Sequence, residues 1–281
     1  MRFALVSMRP RIGDKEGNIE IMSRAISGTR ADMYVFGELS LTGYKCKDEW
    51  LPLAESVDGP SIKRLKGIAK RRDCYIVFGM PLLDENVKGL VHNASVLIHP
   101  DGKVDHYEKW FLPTVGPFEE KIFFDQGERL PVFQTRFGKV GLLVCYDLFF
   151  PEASKALSLQ GADIIVYISA TPSITRGYFE TLLPARALEN TVYVVFVNLV
   201  GAQDDLVFWG GSRVYDPLGV LLVKAPYFKS STVVCDIDVS KERVARMNRP
   251  LIRDVRPEIY LDLYELSRYH IKSGNRAEKQ L

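Results

Sequence analysis

Short runs rich in β-branched and aromatic residues recur along the whole 281-residue chain, and patterns of helical period fill many of the gaps between them. RFALVSM, MYVFG, YIVFGM, ASVLIH, VDHYEK, VGLLVC, DIIVYIS, VYVVFVN, GSRVYD and TVVCDID read as strands. Residues 16–29, 61–72, 151–160, 178–190 and 240–247 read as helices. This order commits the chain to the α/β class. A helix between two strands permits parallel pairing, whereas HPDGK, RFGK and YDPLG carry the turn chemistry of antiparallel hairpins, so the sheets are predicted to be mixed. No Ser/Gly linker, low-complexity tract or short repeat divides the sequence, which predicts one domain over residues 1–249. Residues 250–281 differ: Pro250 and Pro257 precede a short amphipathic segment with Tyr260, Leu261, Leu263, Tyr264 and Leu266. Such an arm is expected to pack on a partner subunit, giving a homodimer or higher homo-oligomer.

Charge and cysteine usage narrow the function classes. The 37 basic and 35 acidic residues nearly balance and are interspersed, which argues against a nucleic-acid surface. No apolar run approaches the ~20 residues of a membrane span, and the N-terminus lacks a signal-peptide layout. Cys46, Cys74, Cys145 and Cys235 lie far apart without a C-x-x-C pair, which disfavours a zinc site or a disulfide framework and fits a reducing cytoplasm. His92, His99 and His106 recur every seven residues around HPDGK. That spacing suits neither a metal cluster nor a helix face, and structural roles on strands are expected for them.

The reactive residues sit at strand ends. In GKVGLLVCYDLFFPEASKAL, Cys145 falls at the switch from an apolar strand to a helix that opens with Pro151, where main-chain N–H groups point outward. Taken alone, a buried structural thiol is the commoner outcome for such a cysteine. MYVFGELSLTGY stops an apolar strand at Glu38, and VDHYEKWFLP stops an alternating strand near Lys109. Either charge alone is usually a solvated loop residue. Together the three ends offer a thiol, a carboxylate that can act as base, and an ammonium that can steady an oxyanion.

These segments, in this order, resemble the nitrilase (carbon–nitrogen hydrolase) superfamily. GELSLTGY is similar to its glutamate motif, YEKWFLP to its lysine motif and GLLVCYDLFFPE to its cysteine motif; PARALEN, VYVVFVN and GGSRVYDPLG resemble later blocks. PFEEKIFF is similar to the segment carrying a second active-site glutamate, which alignment on Phe123 and Phe124 places at Glu120, with Glu119 the fallback. The resemblance implies an αββα sandwich with two sheets face to face. It also implies catalysis by Glu38, Lys109, Cys145 and Glu120 without metal or organic cofactor, and subunits that pair.

CYD in place of the Trp–Glu that follows the nucleophile of true nitrilases resembles the amidase side, so the expected reaction is hydrolysis of a non-peptide amide. Leu148 and Phe149 stand where relatives with carboxylated substrates carry arginine, which favours a neutral or apolar substrate end. Arg176, in the TPSITRGYFE loop, either substitutes for that arginine or is a surface residue. Tyr44, Phe118, Tyr146 and Trp110 are the expected pocket residues. GELSLTGYKCKDEWL and LPTVGPFEEKIFF also resemble the glutaminase domain of glutamine-dependent NAD synthetase. A free-standing glutamine-type amidase or N-carbamoyl hydrolase is therefore the alternative, followed by a nitrilase. A Cys–His hydrolase and a non-catalytic binding protein are the rivals from other classes.

Overall fold

Alternation in the first strand decides which side chains go to which layer. Phe3 and Leu5 join the core between the two sheets, whereas Ala4 and Val6 join the core beneath the helices. The computed structural model describes the backbone of residues 1–277 and the side chains of residues 1–269. In chain order the strands are β1 (Arg2–Ser7), β2 (Met33–Phe36), β3 (Tyr75–Leu83), β4 (Val91–Ile98), β5 (Val104–Glu108), β6 (Val132–Thr135), β7 (Gly138–Val144), β8 (Ile164–Ser169), β9 (Tyr193–Asn198), β10 (Val200–Gln203), β11 (Leu206–Trp209), β12 (Arg213–Tyr215), β13 (Leu221–Lys224) and β14 (Ser231–Asp236). The helices are α1 (Lys15–Gly28), α2 (Trp50–Leu53), α3 (Pro60–Arg72), α4 (Glu120–Phe123), α5 (Pro151–Leu159), α6 (Arg176–Asn190), α7 (Ser240–Asn248) and α8 (Pro257–Ala277).

Two six-stranded sheets run β14-β1-β2-β3-β4-β5 and β13-β12-β9-β8-β7-β6. In each, three parallel strands (β1, β2, β3 and β7, β8, β9) are flanked by antiparallel neighbours. Ile19, Met22 and Ile26 of α1 and Ile62, Leu65 and Ile68 of α3 cover the outer face of the first sheet. Leu157 of α5, with Phe179 and Leu183 of α6, covers the second. The four layers match what the family resemblance implies, and the mixed sheets match the reading of the residues. The three turn motifs do as well: HPDGK joins β4 to β5, RFGK joins β6 to β7, and YDPLG joins β12 to β13. The short hairpin β10–β11 went unforeseen, because VNLVGAQDDLVFWG continues the apolar pattern of β9 and only the brief polar step Gln203-Asp204-Asp205, with Asp204 at φ 50°, breaks it.

The C-terminal segment is longer than the short stretch expected: α8 spans 21 residues. Leu261, Leu263, Tyr264 and Leu266 on it are each more than half exposed. No helix among the described residues is long and apolar enough to cross a membrane.

One glycine is needed for the turn after β2. A Cβ at Gly79 on β3 would lie 2.2 Å from the Leu39 nitrogen and 2.7 Å from the Glu38 Cα. Gly79→Ala must push that turn aside, and overpacking of this kind costs about 1–3 kcal/mol. Urea unfolding should show a loss of that size, and turnover should fall because the turn carries Glu38.

Candidate active site

Two backbone turns in the left-handed region present the reactive groups. Leu39, directly after Glu38, has φ 49°, and Cys145 itself, directly after β7, has φ 46°. Non-glycine residues hold such conformations at a cost of about 1–3 kcal/mol, and only where the surroundings over-determine them. Lys109 follows the last residue of β5, and Glu120 opens α4.

The four side chains meet in a dry space. Glu38 and Lys109 have no solvent exposure, Glu120 has 4% and Cys145 has 7%. Lys109 Nζ donates to Glu38 Oε1 at 2.7 Å and to both oxygens of Glu120 at 2.8 Å. Glu38 Oε2 accepts from the Ala170 N–H at 2.7 Å. Of the paired glutamates, Glu120 turns inward and Glu119 is exposed.

The electrostatics follow from two carboxyl groups sharing one ammonium. Burial works against the Lys109 charge, but Glu120 and Glu38 outweigh it and its pKa is raised. Burial, then the charge of Glu38, raises the Glu120 carboxyl against the pull of Lys109. The Cys145 thiol is held well above its usual value by burial and then by Glu38, against Lys109 and the Ala170 amide. The resting nucleophile is consequently a thiol and needs a base as it reacts.

The other expected pocket residues take several places. Tyr44 donates its hydroxyl to Glu120 Oε1 at 2.7 Å and meets the edge of Phe118, with ring centres 6.3 Å apart. A narrow cavity of about 40 Å³ lies beside this pair, lined in part by Trp50, Pro117 and Phe123. Tyr146 packs on Phe149 and Phe150, and Phe150 stacks flat on Phe111 at 3.6 Å. Trp110 meets the edge of Phe111. Arg176 opens α6 and lies 5.1 Å over the Tyr227 ring. Among the described residues it makes no hydrogen bond or ion pair to Glu38, Lys109, Glu120 or Cys145.

Two positioning residues escaped the sequence. Asn93 on β4 donates its amide to Glu38 Oε1 at 2.8 Å and to Glu120 Oε2 at 3.3 Å. Asp147 takes the Val144 N–H and the Tyr107 hydroxyl on one oxygen, both at 2.8 Å, and the Phe111 N–H on the other at 3.1 Å. It thereby ties the nucleophile turn to the segment after Lys109. Its place in CYD was the available signal; Asn93 had none beyond adjacency to a strand histidine.

A sequence profile of the carbon–nitrogen hydrolases matches residues 2–247. The chain belongs to that family. This carbon–nitrogen hydrolase is 33% identical over 260 residues to an (R)-stereoselective amidase of a Pseudomonas species, covering 91% of this chain and 92% of the relative. It is 29% identical over 253 residues to the glutamine-dependent NAD(+) synthetase of Aquifex aeolicus, where the match covers 88% of this chain but 44% of the synthetase. A mutant of the amidase from Nesterenkonia sp. AN1, solved with acrylamide added to its active-site cysteine, superposes with a TM-score of 0.80 at 29% identity, covering 94% of this chain and 97% of that one. The carbon–nitrogen hydrolase stands on the amidase-like side of the nitrilase superfamily and is an enzyme acting on C–N bonds.

Burial, against Lys109 and three hydrogen-bond donors, raises the Asp147 carboxyl to about 7. In the unfolded chain its pKa is near the ordinary 3.8. Between these values the native state holds the proton more tightly, so the contribution of Asp147 to stability is present below about pH 4 and lost as pH rises toward 7. Across that window the stability of the wild type relative to Asp147→Asn should fall by up to about 1.4 kcal/mol per pH unit. Urea titrations at pH 4, 5, 6 and 7 check the slope; a difference independent of pH is the contrary result.

Proposed function

We propose that this hydrolase cleaves a small non-peptide amide to a carboxylic acid and ammonia or an amine, through a thioester on Cys145. The observation that carries the reading is the fully buried Glu38 carboxylate, bonded to Lys109 at 2.7 Å, whose charge bears on the buried Cys145 thiol. Glu38 takes the thiol proton as sulfur attacks the amide carbon, and the carbonyl electron pair moves onto oxygen. The Lys109 ammonium and the Tyr146 N–H hold that oxyanion. Glu38 returns the proton to nitrogen as the C–N bond breaks. The same carboxylate then deprotonates water, which attacks the thioester and releases the acid and the thiol. Glu120, fixed by Tyr44 and Asn93, keeps the ammonium in place.

An apolar acyl group suits the site best. Leu148 is fully buried, and the rings of Tyr146, Phe149, Phe150 and Phe111 cluster where a carboxylate anchor would otherwise stand. A glutamine-type amide or an N-carbamoyl compound is the second reading, favoured by the similarity to the synthetase.

Cys145→Ala should lower kcat by about 10⁴-fold or more, as removal of a nucleophile does elsewhere. Acid-quenched wild type incubated with a panel of amides should show the acyl mass on Cys145. Glu38→Gln should show neither turnover nor adduct, since an amide cannot carry the proton. An adduct at normal rate in Glu38→Gln contradicts the base assignment.

We also propose that two copies pair and that α8 is buried in the pair. Ile259, Leu261, Leu263 and Leu266 present more apolar surface than a free helix in water sustains. A chain ending at Met247 should sediment as a monomer and lose activity, whereas the full chain should sediment as a dimer at micromolar concentration.

A further inference from the structure

The hydrogen bonds of His92 differ from those of its neighbours. The ring is 4% exposed on β4. Its Nδ1 lies 2.9 Å from the carbonyl oxygen of Asp125, which can only accept, so Nδ1 carries a proton. In a neutral ring Nε2 is then a bare lone pair, and it faces Asp84 Oδ2 at 3.2 Å. Acceptor faces acceptor, and a positive centre must lie between them. His99 is unlike this: it meets Asp105 through Nε2 at 2.8 Å, and a neutral ring protonated there satisfies the contact.

A third ligand stands beside the pair. One ligand atom each of Glu108, Asp84 and His92 lies within 4.8 Å of the other two. A proton serves two groups; three donors around one point suit an ion. Each donor is also fixed from behind, as the ligands of metal sites are. Asp84 Oδ1 accepts the N–H groups of Asn86 at 2.7 Å and Val87 at 2.6 Å, and these bonds lower its pKa. Glu108 lies 3.4 Å from His106, which holds its carboxyl below the usual range. The cluster opens on a cavity of about 760 Å³ lined by six carboxyl groups against one guanidinium, Arg129.

The geometry points to a divalent transition-metal site made by His92, Asp84 and Glu108, with zinc the best match. One imidazole and two carboxylates favour such an ion over magnesium or calcium. Zinc bonds of ~2.0–2.2 Å place tetrahedral neighbours ~3.3 Å apart, close to the His92–Asp84 separation already present. A small swing of Glu108 completes three ligands, and the cavity supplies water for the fourth. This assignment revises the purely structural role expected for His92 from its spacing. It is independent of the reaction proposed above, yet it bears on the site. His92 precedes Asn93, and Glu108 precedes Lys109, so the ion would clamp β4 to β5 directly behind two residues that hold the catalytic carboxylates.

Titration calorimetry with zinc chloride tests this on full-length Cys145→Ala, which removes the active-site thiol as a competing ligand. One equivalent should bind, and magnesium or calcium chloride should give no comparable heat. Asp84→Asn keeps an oxygen for both turn amides, so its fold is retained, which a thermal melt verifies; its zinc affinity should fall at least tenfold. His106→Ala, which loosens Glu108 from behind, should cost about 10–100-fold. No zinc binding, or an affinity unchanged by Asp84→Asn and by His92→Gln, overturns the assignment and leaves an imidazolium proton between His92 and Asp84.

Discussion

The site depends on an ammonium placed where water cannot reach it. Lys109 has no exposure and is shared between Glu38 and Glu120, themselves buried. Removing each of these groups from water costs several kcal/mol, so the arrangement persists only because every charged atom finds a partner at short range. The match remains incomplete, since two carboxyl groups compete for one cation. Burial first, and then the charge of Glu38, raises the Cys145 thiol and makes the nucleophile dependent on its base. The same dry surroundings strengthen any interaction with charge that develops on a bound carbonyl oxygen.

Holding the ammonium in place takes several segments tied through their backbones. Lys109 N–H donates to the Asn93 carbonyl, and the Lys109 carbonyl accepts from Gly127 N–H just beyond α4. Asn93 reaches the two carboxylates, and Asp147 joins the segment after Lys109 to the turn that carries Cys145. These bonds over-determine the left-handed turns at Leu39 and Cys145, which would otherwise relax. The pattern is that of a pre-organised site on the ends of rigid strands.

Much of this was legible from residue order alone. The strands and the three hairpins were readable because β-branched runs and Gly-containing turns are local signals. Glu38 and Cys145 stood out because each follows an apolar run, and Lys109 because it ends an alternating strand. Glu120 sits in a pair of adjacent glutamates, and choosing between them rested on resemblance until burial of one and exposure of the other separated them. Asn93 was silent, because its partners lie 55 and 27 residues away. The partners of His92 were silent for a like reason, since Asp84 and Glu108 join it only when β4 and β5 are paired and the loop before β4 folds back.

The sequence by itself determined the α/β alternation, the positions of the strand ends and which reactive groups stand on them. These follow from hydrophobic period and turn chemistry, which act over a few neighbouring residues. Tertiary structure alone decided that the carboxylates share one ammonium, that an amide after β8 caps the base, and that a buried histidine meets two acceptors at once. Such outcomes rest on distances between segments far apart in the chain, and on the loss of water around them. Neither is a property of any local stretch of sequence.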